Sequence, residues 1–160
     1  MSAIAPSLTL RPVAPADEGF LLEVYASTRA DELAHVPWSD EQKDAFVRHQ
    51  FEAQSAHYRT YEGASFDVIE LDGVRVGRLY VARWADEIRL MDIALLPEQR
   101  GLGIGSHLIG ALLAEAEDSG KKLTVHVEVF NPALRLYERL GFRPVEERGA
   151  YLFLEATPGG

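Results

Sequence analysis

Leu8-Thr9-Leu10-Arg11 alternates apolar and polar side chains as a short strand does, and Pro12 and Pro15 close it. Asp17 stands where a helix N-cap is expected, because Phe20, Leu21, Val24 and Tyr25 follow at the spacing of one helix face. A second helix is predicted after Trp38-Ser39-Asp40, with Ser39 as its cap and Ala45, Phe46, His49, Gln50 and Ala53 on one stripe. Strands over 66–71 and 74–81 meet at Asp72-Gly73, a dipeptide suited to the type I′ turn, which needs positive φ at both central positions. Trp84-Ala85-Asp86 turns the chain into a further strand, 88–96, which Pro97 ends.

A glycine-rich segment follows and opens into a helix over about 103–119. Ile104, Leu108, Ile109, Leu112, Leu113 and Ala116 give that helix a broad apolar stripe, and Gly120 stops it. After a strand over 123–130, Asn131-Pro132 reads as a helix start: Asn can cap, and Pro lacks the amide that would be left unpaired. Ala133, Leu136, Tyr137 and Leu140 then repeat at helical spacing up to Gly141, and strands over 142–147 and 150–155 finish the pattern. Strands and helices mix without strict alternation. The expected fold class is α+β, one domain over 1–156 around a single mixed sheet, with 157–160 as a loose tail.

Composition narrows the classes. The chain has 160 residues, enough for one domain, and an apolar share of 47%, ordinary for a folded protein. No run approaches the ~20 apolar residues needed to cross a bilayer, and the first ten residues lack the features of a signal peptide. There is no cysteine, which excludes disulfides, thiolate catalysis and Cys-based zinc sites; no metal site is expected, and a cytoplasmic setting is. Sixteen basic against 25 acidic side chains give a net charge of −9 with no basic cluster, so nucleic acid is not an expected partner. The acidic balance favours a cationic partner such as an amine, or serves solubility alone.

The candidate chemistry lies in Gln99-Arg100-Gly101-Leu102-Gly103-Ile104-Gly105. A strand, a short glycine turn and a helix start make a place for phosphate. The first helical amides have no partner, the helix dipole favours an anion, and glycine removes the Cβ that would block approach. Arg100 adds a permanent charge able to bind phosphate in a bidentate way. A P-loop would need Gly-Lys-Ser/Thr where this chain has Gly105-Ser106-His107. A dinucleotide fingerprint would need its third glycine one residue later, although Glu128 stands about 25 residues on.

The segment resembles motif A of the GCN5-related N-acetyltransferase (GNAT) superfamily, with Arg100, Gly103 and Gly105 at its defining positions. Residues 131–142, from Asn131 through Leu136-Tyr137 to Gly141-Phe142, resemble motif B, and 91–98 resembles the strand before motif A. The resemblance is close over 66–145 and thin over 1–61. It implies a GNAT-like fold, a central, mostly antiparallel sheet of about seven strands with about four helices. It also implies transfer of an acetyl group from acetyl-CoA to a primary amine by direct attack in a ternary complex. By the same resemblance, Ile93, Ala94 and Leu95 pair with the pantetheine arm, and a backbone N–H near Ala94 or Leu95 serves the oxyanion. The amides of Arg100, Gly101, Leu102, Gly103, Ile104, Gly105 and Ser106 wrap the pyrophosphate, Asn131 meets the arm near its reactive end, and Tyr137 protonates the leaving thiolate.

Other readings stand beside these. Asn131 can be a helix cap and Tyr137 a packing residue. Asp92, His126 and Glu128 are the candidates for the base; His126 and Glu128 share a sheet face opposite Val125, Val127 and Val129, which an ordinary half-exposed strand also does. His126 has an ordinary pKa near the working range, whereas Asp92 would need a raised one. For substrate binding, Gln50, Gln54, His57 and Tyr58 put polar groups on one helix face, and Trp38 and Tyr61 can line an acceptor pocket; Glu128 is a further candidate. A catalytically silent acyl-CoA-binding domain is the rival from another class. Relatives often dimerise, so a homodimer is possible.

Overall fold

The computed structural model describes residues 7–129 and 131–157. The expectations for the first six residues, for position 130 at the end of the strand and for 158–160 of the tail lie outside the described residues. Seven strands and four α-helices follow one another: β1 (Leu8–Pro12), α1 (Glu18–Ala34), α2 (Asp40–Tyr58), β2 (Ala64–Leu71), β3 (Val74–Arg83), β4 (Glu87–Leu95), α3 (Ile104–Ser119), β5 (Lys122–Glu128), α4 (Leu134–Arg139), β6 (Arg143–Arg148) and β7 (Tyr151–Ala156). The strands form one mixed sheet in the order β1-β2-β3-β4-β5-β7-β6, in which β1 and β2, β5 and β7, and β6 and β7 pair antiparallel and β4 and β5 run parallel. This is the expected α+β class with the expected numbers of strands and helices. The chain groups into two compact units, Met1–Tyr80 with Asp92–Arg100, and Val81–Met91 with Gly101–Gly160.

In the first unit α1 and α2 bury Phe20, Leu21, Val24, Tyr25, Leu33, Val47 and Phe51 with Val68 of β2. Ser39 caps α2 as expected, in a full capping box: its hydroxyl accepts the Gln42 amide while the Gln42 side chain accepts the Ser39 amide. The predicted stripe on α2 is corrected. Ala45, Phe46, His49 and Ala53 are exposed, and the inward face is Val47 and Phe51, flanked by half-buried Gln50, Gln54 and Tyr58. Asp17 is a second correction. It lies in a 3-10 turn, Pro15–Asp17, and its carboxylate does not cap α1. It accepts instead from the Ala14 amide and from Arg11 and Arg75. The Arg11 hydrogen bond, with the Ala14 amide, holds this carboxyl below its usual range despite burial. The Asp72-Gly73 hairpin forms with φ of 52° and 81°, as its dipeptide requires.

Gly77 of β3 marks a close approach within the same unit. A Cβ there would meet the Ala94 carbonyl oxygen and would stand 2.9 Å from Leu95 Cδ2. In the second unit, α3 buries Ile104, Leu108, Ile109, Leu112 and Ala116, with Leu123, Val125 and Val127 of β5, Leu154 of β7, Tyr137 and Phe142 also in the interior. Every residue of β6 is exposed, and a register shift interrupts its pairing with β7 between Pro144 and Glu146. Among the described residues no helix is long and apolar enough to cross a membrane.

Candidate active site

The glycine turn has the backbone that phosphate binding needs. Gly101 and Gly103 both take left-handed φ, 75° and 86°, and the chain passes from Gly103 directly into α3. His107 is bonded back to the Gly103 carbonyl, so the amides of Ile104, Gly105 and Ser106 precede it at the helix N-terminus. A Cβ added at Gly101 or Gly103 would meet nothing within 4 Å, so the space beside both glycines is open. Leu102 between them is 66% exposed, whereas Ile104 turns inward and anchors the helix start. In the first unit, Arg100 bends back onto the strand end: its Nε donates to the Leu95 carbonyl at 3.1 Å and Nη2 to Ser27 Oγ at 3.3 Å.

Three of the predicted residues, Asp92, Gln54 and Tyr58, come together in the first unit around one that the sequence did not single out. Arg78 of β3 is only 2% exposed. Its Nε and Nη2 donate to the two oxygens of Asp92 at 3.2 and 2.9 Å, and Nη2 also donates to Gln54 Oε1 at 2.9 Å. The Tyr58 hydroxyl donates to Asp92 Oδ2 at 2.9 Å. The guanidinium lies 5.0 Å from the Tyr80 ring centre and 5.8 Å from that of Tyr25. Burial works most strongly against the charge on Arg78, but the Asp92 carboxylate with Tyr80 and Tyr58 together outweigh it and raise the pKa. Burial, then Asp92, pushes the Tyr58 phenol up. Trp38 stands apart from this cluster, exposed and packed edge-on against Phe46, while Tyr61 meets the rings of His57 and Tyr58.

The second unit holds His126, Glu128, Asn131 and Tyr137. His126 is exposed on β5 while Val125 and Val127 are buried, the alternation expected from the sequence. Its ring lies 4.8 Å from that of Phe153, its direct partner on β7. Burial, then the cations Arg89 and Arg148, lower the His126 pKa. Glu128 ends β5 opposite Tyr151, half-buried. Asn131 Oδ1 accepts the Ala133 amide at 2.9 Å, so it organises the entry to α4 as a cap does. The regular helix begins two residues after Pro132. Tyr137 is buried on α4 with its ring 5.3 Å from that of Phe142.

The model of the family described as "Acetyltransferase (GNAT) family" matches residues 24–142, reaching further toward the N-terminus than the motifs do. This chain belongs to the GNAT family. It is 39% identical over 67 residues to the ribosomal protein bS18-alanine N-acetyltransferase of Haemophilus influenzae, covering 41% of this chain and 46% of that protein. It is 31% identical over 105 residues to an N-alpha-acetyltransferase of Sulfurisphaera tokodaii, covering 56% and 62% respectively. The matched stretch thus spans about half to two-thirds of these GNAT relatives. The PaiA N-acetyltransferase of Thermoplasma acidophilum, solved in complex with coenzyme A, shares the fold with a TM-score of 0.71 at 18% identity, over 94% of this chain and 99% of that one.

Proposed function

We propose that the protein is an N-acetyltransferase that uses acetyl-CoA to acetylate the α-amine of an amino acid or of a peptide chain. The observation that carries the acyl-donor half is the turn at Gly101 and Gly103, two left-handed glycines opening into the free amides of α3 in a member of the GNAT family. The acceptor half is supported by the relatives: one is named for alanine, whose amine is an α-amine, and the other for N-alpha acetylation. The chemistry favours the same class. An α-amine has a pKa near ~8 against ~10.4 for lysine, so far more of it is neutral and nucleophilic near pH 7.

Bound acetyl-CoA supplies an activated thioester: the amine nitrogen forms the new C–N bond, the C–S bond breaks, and the thiol leaves. In this reading the amides of Arg100 to Ser106 hold the pyrophosphate, with the Arg100 side chain as its counter-charge, and the backbone of Ile93, Ala94 and Leu95 aligns the pantetheine arm. Asn131 contacts the arm near its reactive end, and Tyr137 gives a proton to the departing sulfur. Asp92 and His126 are the candidates to receive the amine proton. Asp92 is already committed to Arg78 and Tyr58, which suits it better to holding β4 and the Gln54–Tyr58 face than to accepting a proton. Trp38 and Glu128 belong to the acceptor side of the reading.

A thermal melt with acetyl-CoA, desulfo-CoA and NAD, followed by a thiol-release assay on an amine panel, tests this. Donor at ~100 times its dissociation constant adds about 2.7 kcal/mol and moves the midpoint by several degrees. Gly103→Val, which puts a β-branched residue at a φ of 86°, should abolish most of that shift. Tyr137→Phe should keep the shift and lower turnover. Release of thiol with lysine side chains but not with α-amines would overturn the acceptor class, and a larger shift with NAD would overturn the donor.

A further inference from the structure

Arg89 of β4 is 14% exposed at its side chain and fastened on three sides within the second unit. Its Nε donates to Thr124 Oγ1 at 2.7 Å and Nη2 to Glu87 Oε2 at 2.8 Å, while the guanidinium lies 5.2 Å from the ring centres of both Trp84 and Phe153. Thr124 in turn donates its hydroxyl proton to Glu87. Such a guanidinium has little freedom to turn. Its remaining nitrogen, Nη1, stands 3.5 Å from Nδ1 of His126.

Arginine has no acceptor atom and stays protonated, so a bond between these two nitrogens has one direction only. Nδ1 must offer its lone pair, and the neutral ring must then carry its proton on Nε2. We propose that Arg89 is a positioning residue for His126, fixing the imidazole in the Nε2–H tautomer so that its available nitrogen is a hydrogen-bond donor and not a base. Placing a proton on Nδ1 would set two N–H groups against each other. The inference rests on the reading that His126 belongs to the reacting site. It assigns the ring to donating toward an acceptor carbonyl or a water, and it leaves the amine proton to pass to water.

The charged groups around the ring agree with this. Arg89 from β4 and Arg148 from β6 disfavour imidazolium, while Glu87 from β4 and Glu146 from β6 favour it; burial and the two cations prevail. Glu87 is itself drawn onto Thr124 and Arg89, and Glu146 onto Arg148 at 2.9 Å, so neither carboxylate is spent on the ring alone.

Long-range proton–nitrogen NMR on the uniformly 15N-labelled full chain, titrated with pH, tests the assignment. His126→Gln identifies the ring among the five histidines. At neutral pH the wild-type ring should show a protonated Nε2 and a bare Nδ1, with a titration midpoint below 6.5. Arg89→Gln should raise that midpoint and let the Nδ1–H form appear, and Arg89→Lys should fall between. A protonated Nδ1 in the wild type, or an unmoved midpoint in a folded Arg89→Gln protein, would overturn the proposal. Should Arg89→Gln not fold, the same comparison is made between the wild type and Arg89→Lys, which keeps the charge and moves it off the ring. No acyl donor or amine is present in these samples, so absence of turnover would count against the acetyltransferase reading and leave the tautomer assignment standing.

Discussion

Arg78 and Arg89 are both strand arginines neutralised by a carboxylate of β4 and laid against two aromatic rings, yet their surroundings give them different work. Arg78 is sealed in. Its contacts with Asp92, Gln54 and the rings of Tyr25 and Tyr80 all end on groups inside the first unit, and the hydrogen bonds fix α2 to β3 and β4. Arg89 keeps one nitrogen toward an exposed imidazole. The same ion pair is therefore a fastening where water is excluded and a means of controlling a titrating neighbour where water has access.

Removing one partner should separate the two most sharply. Arg78→Met leaves the half-buried Asp92 carboxylate without its cation and should cost about 3 kcal/mol, lowering the melting midpoint by roughly 10 °C. Adding Asp92→Leu to it should recover much of that loss, because both charges are then gone. Arg89→Met, at a site nearer to water, should cost about 1 kcal/mol of stability. Equal losses at the two arginines would break the comparison. Acid should sharpen it further. The folded pKa of Asp17 lies below its ordinary 3.8, so its contribution is complete above that value and is lost as pH falls through the lower folded one. Asp17→Asn should accordingly flatten the decline of stability with acid below about pH 4, measured by denaturant melts. The smallest effect belongs to Arg83 and Glu115, a bidentate pair in the second unit with each side chain 41% exposed. Either alanine variant should shift stability by no more than about 0.5 kcal/mol, since solvent screens the pair.

Local signals carried well from sequence to structure. The Asp72-Gly73 turn, the Ser39 cap and the glycine turn each depend on a few neighbouring residues whose backbone preferences are strong. The inward face of α2 did not carry. Periodicity assigns polar residues to water, but Gln54 and Tyr58 face inward because their polar ends meet Arg78 and Asp92. Arg78 itself was invisible for the same reason: a charged residue in a strand reads as solvent-facing until its partner 14 residues later is known to lie beside it. Asp17 has the right type and place for a cap, but two arginines from β1 and β3 compete for its oxygens and win. Asn131 and Tyr137 enter as candidates through motif resemblance alone, whereas the approach of Arg89 to His126 needs the parallel register of β4 on β5, which pairs Arg89 with Thr124.

The two outermost strands also bear on how copies of this protein can meet. A sheet that ends in an unguarded strand invites another chain to lengthen it, and repeated lengthening is the route to fibres. Here one border carries Pro12, whose ring cannot donate to a neighbour, and the other is β6, with Pro144, a break in register and charges at Arg143, Glu146, Glu147 and Arg148. Both borders are thus poor templates, and self-association is steered away from strand addition toward contacts made through side chains.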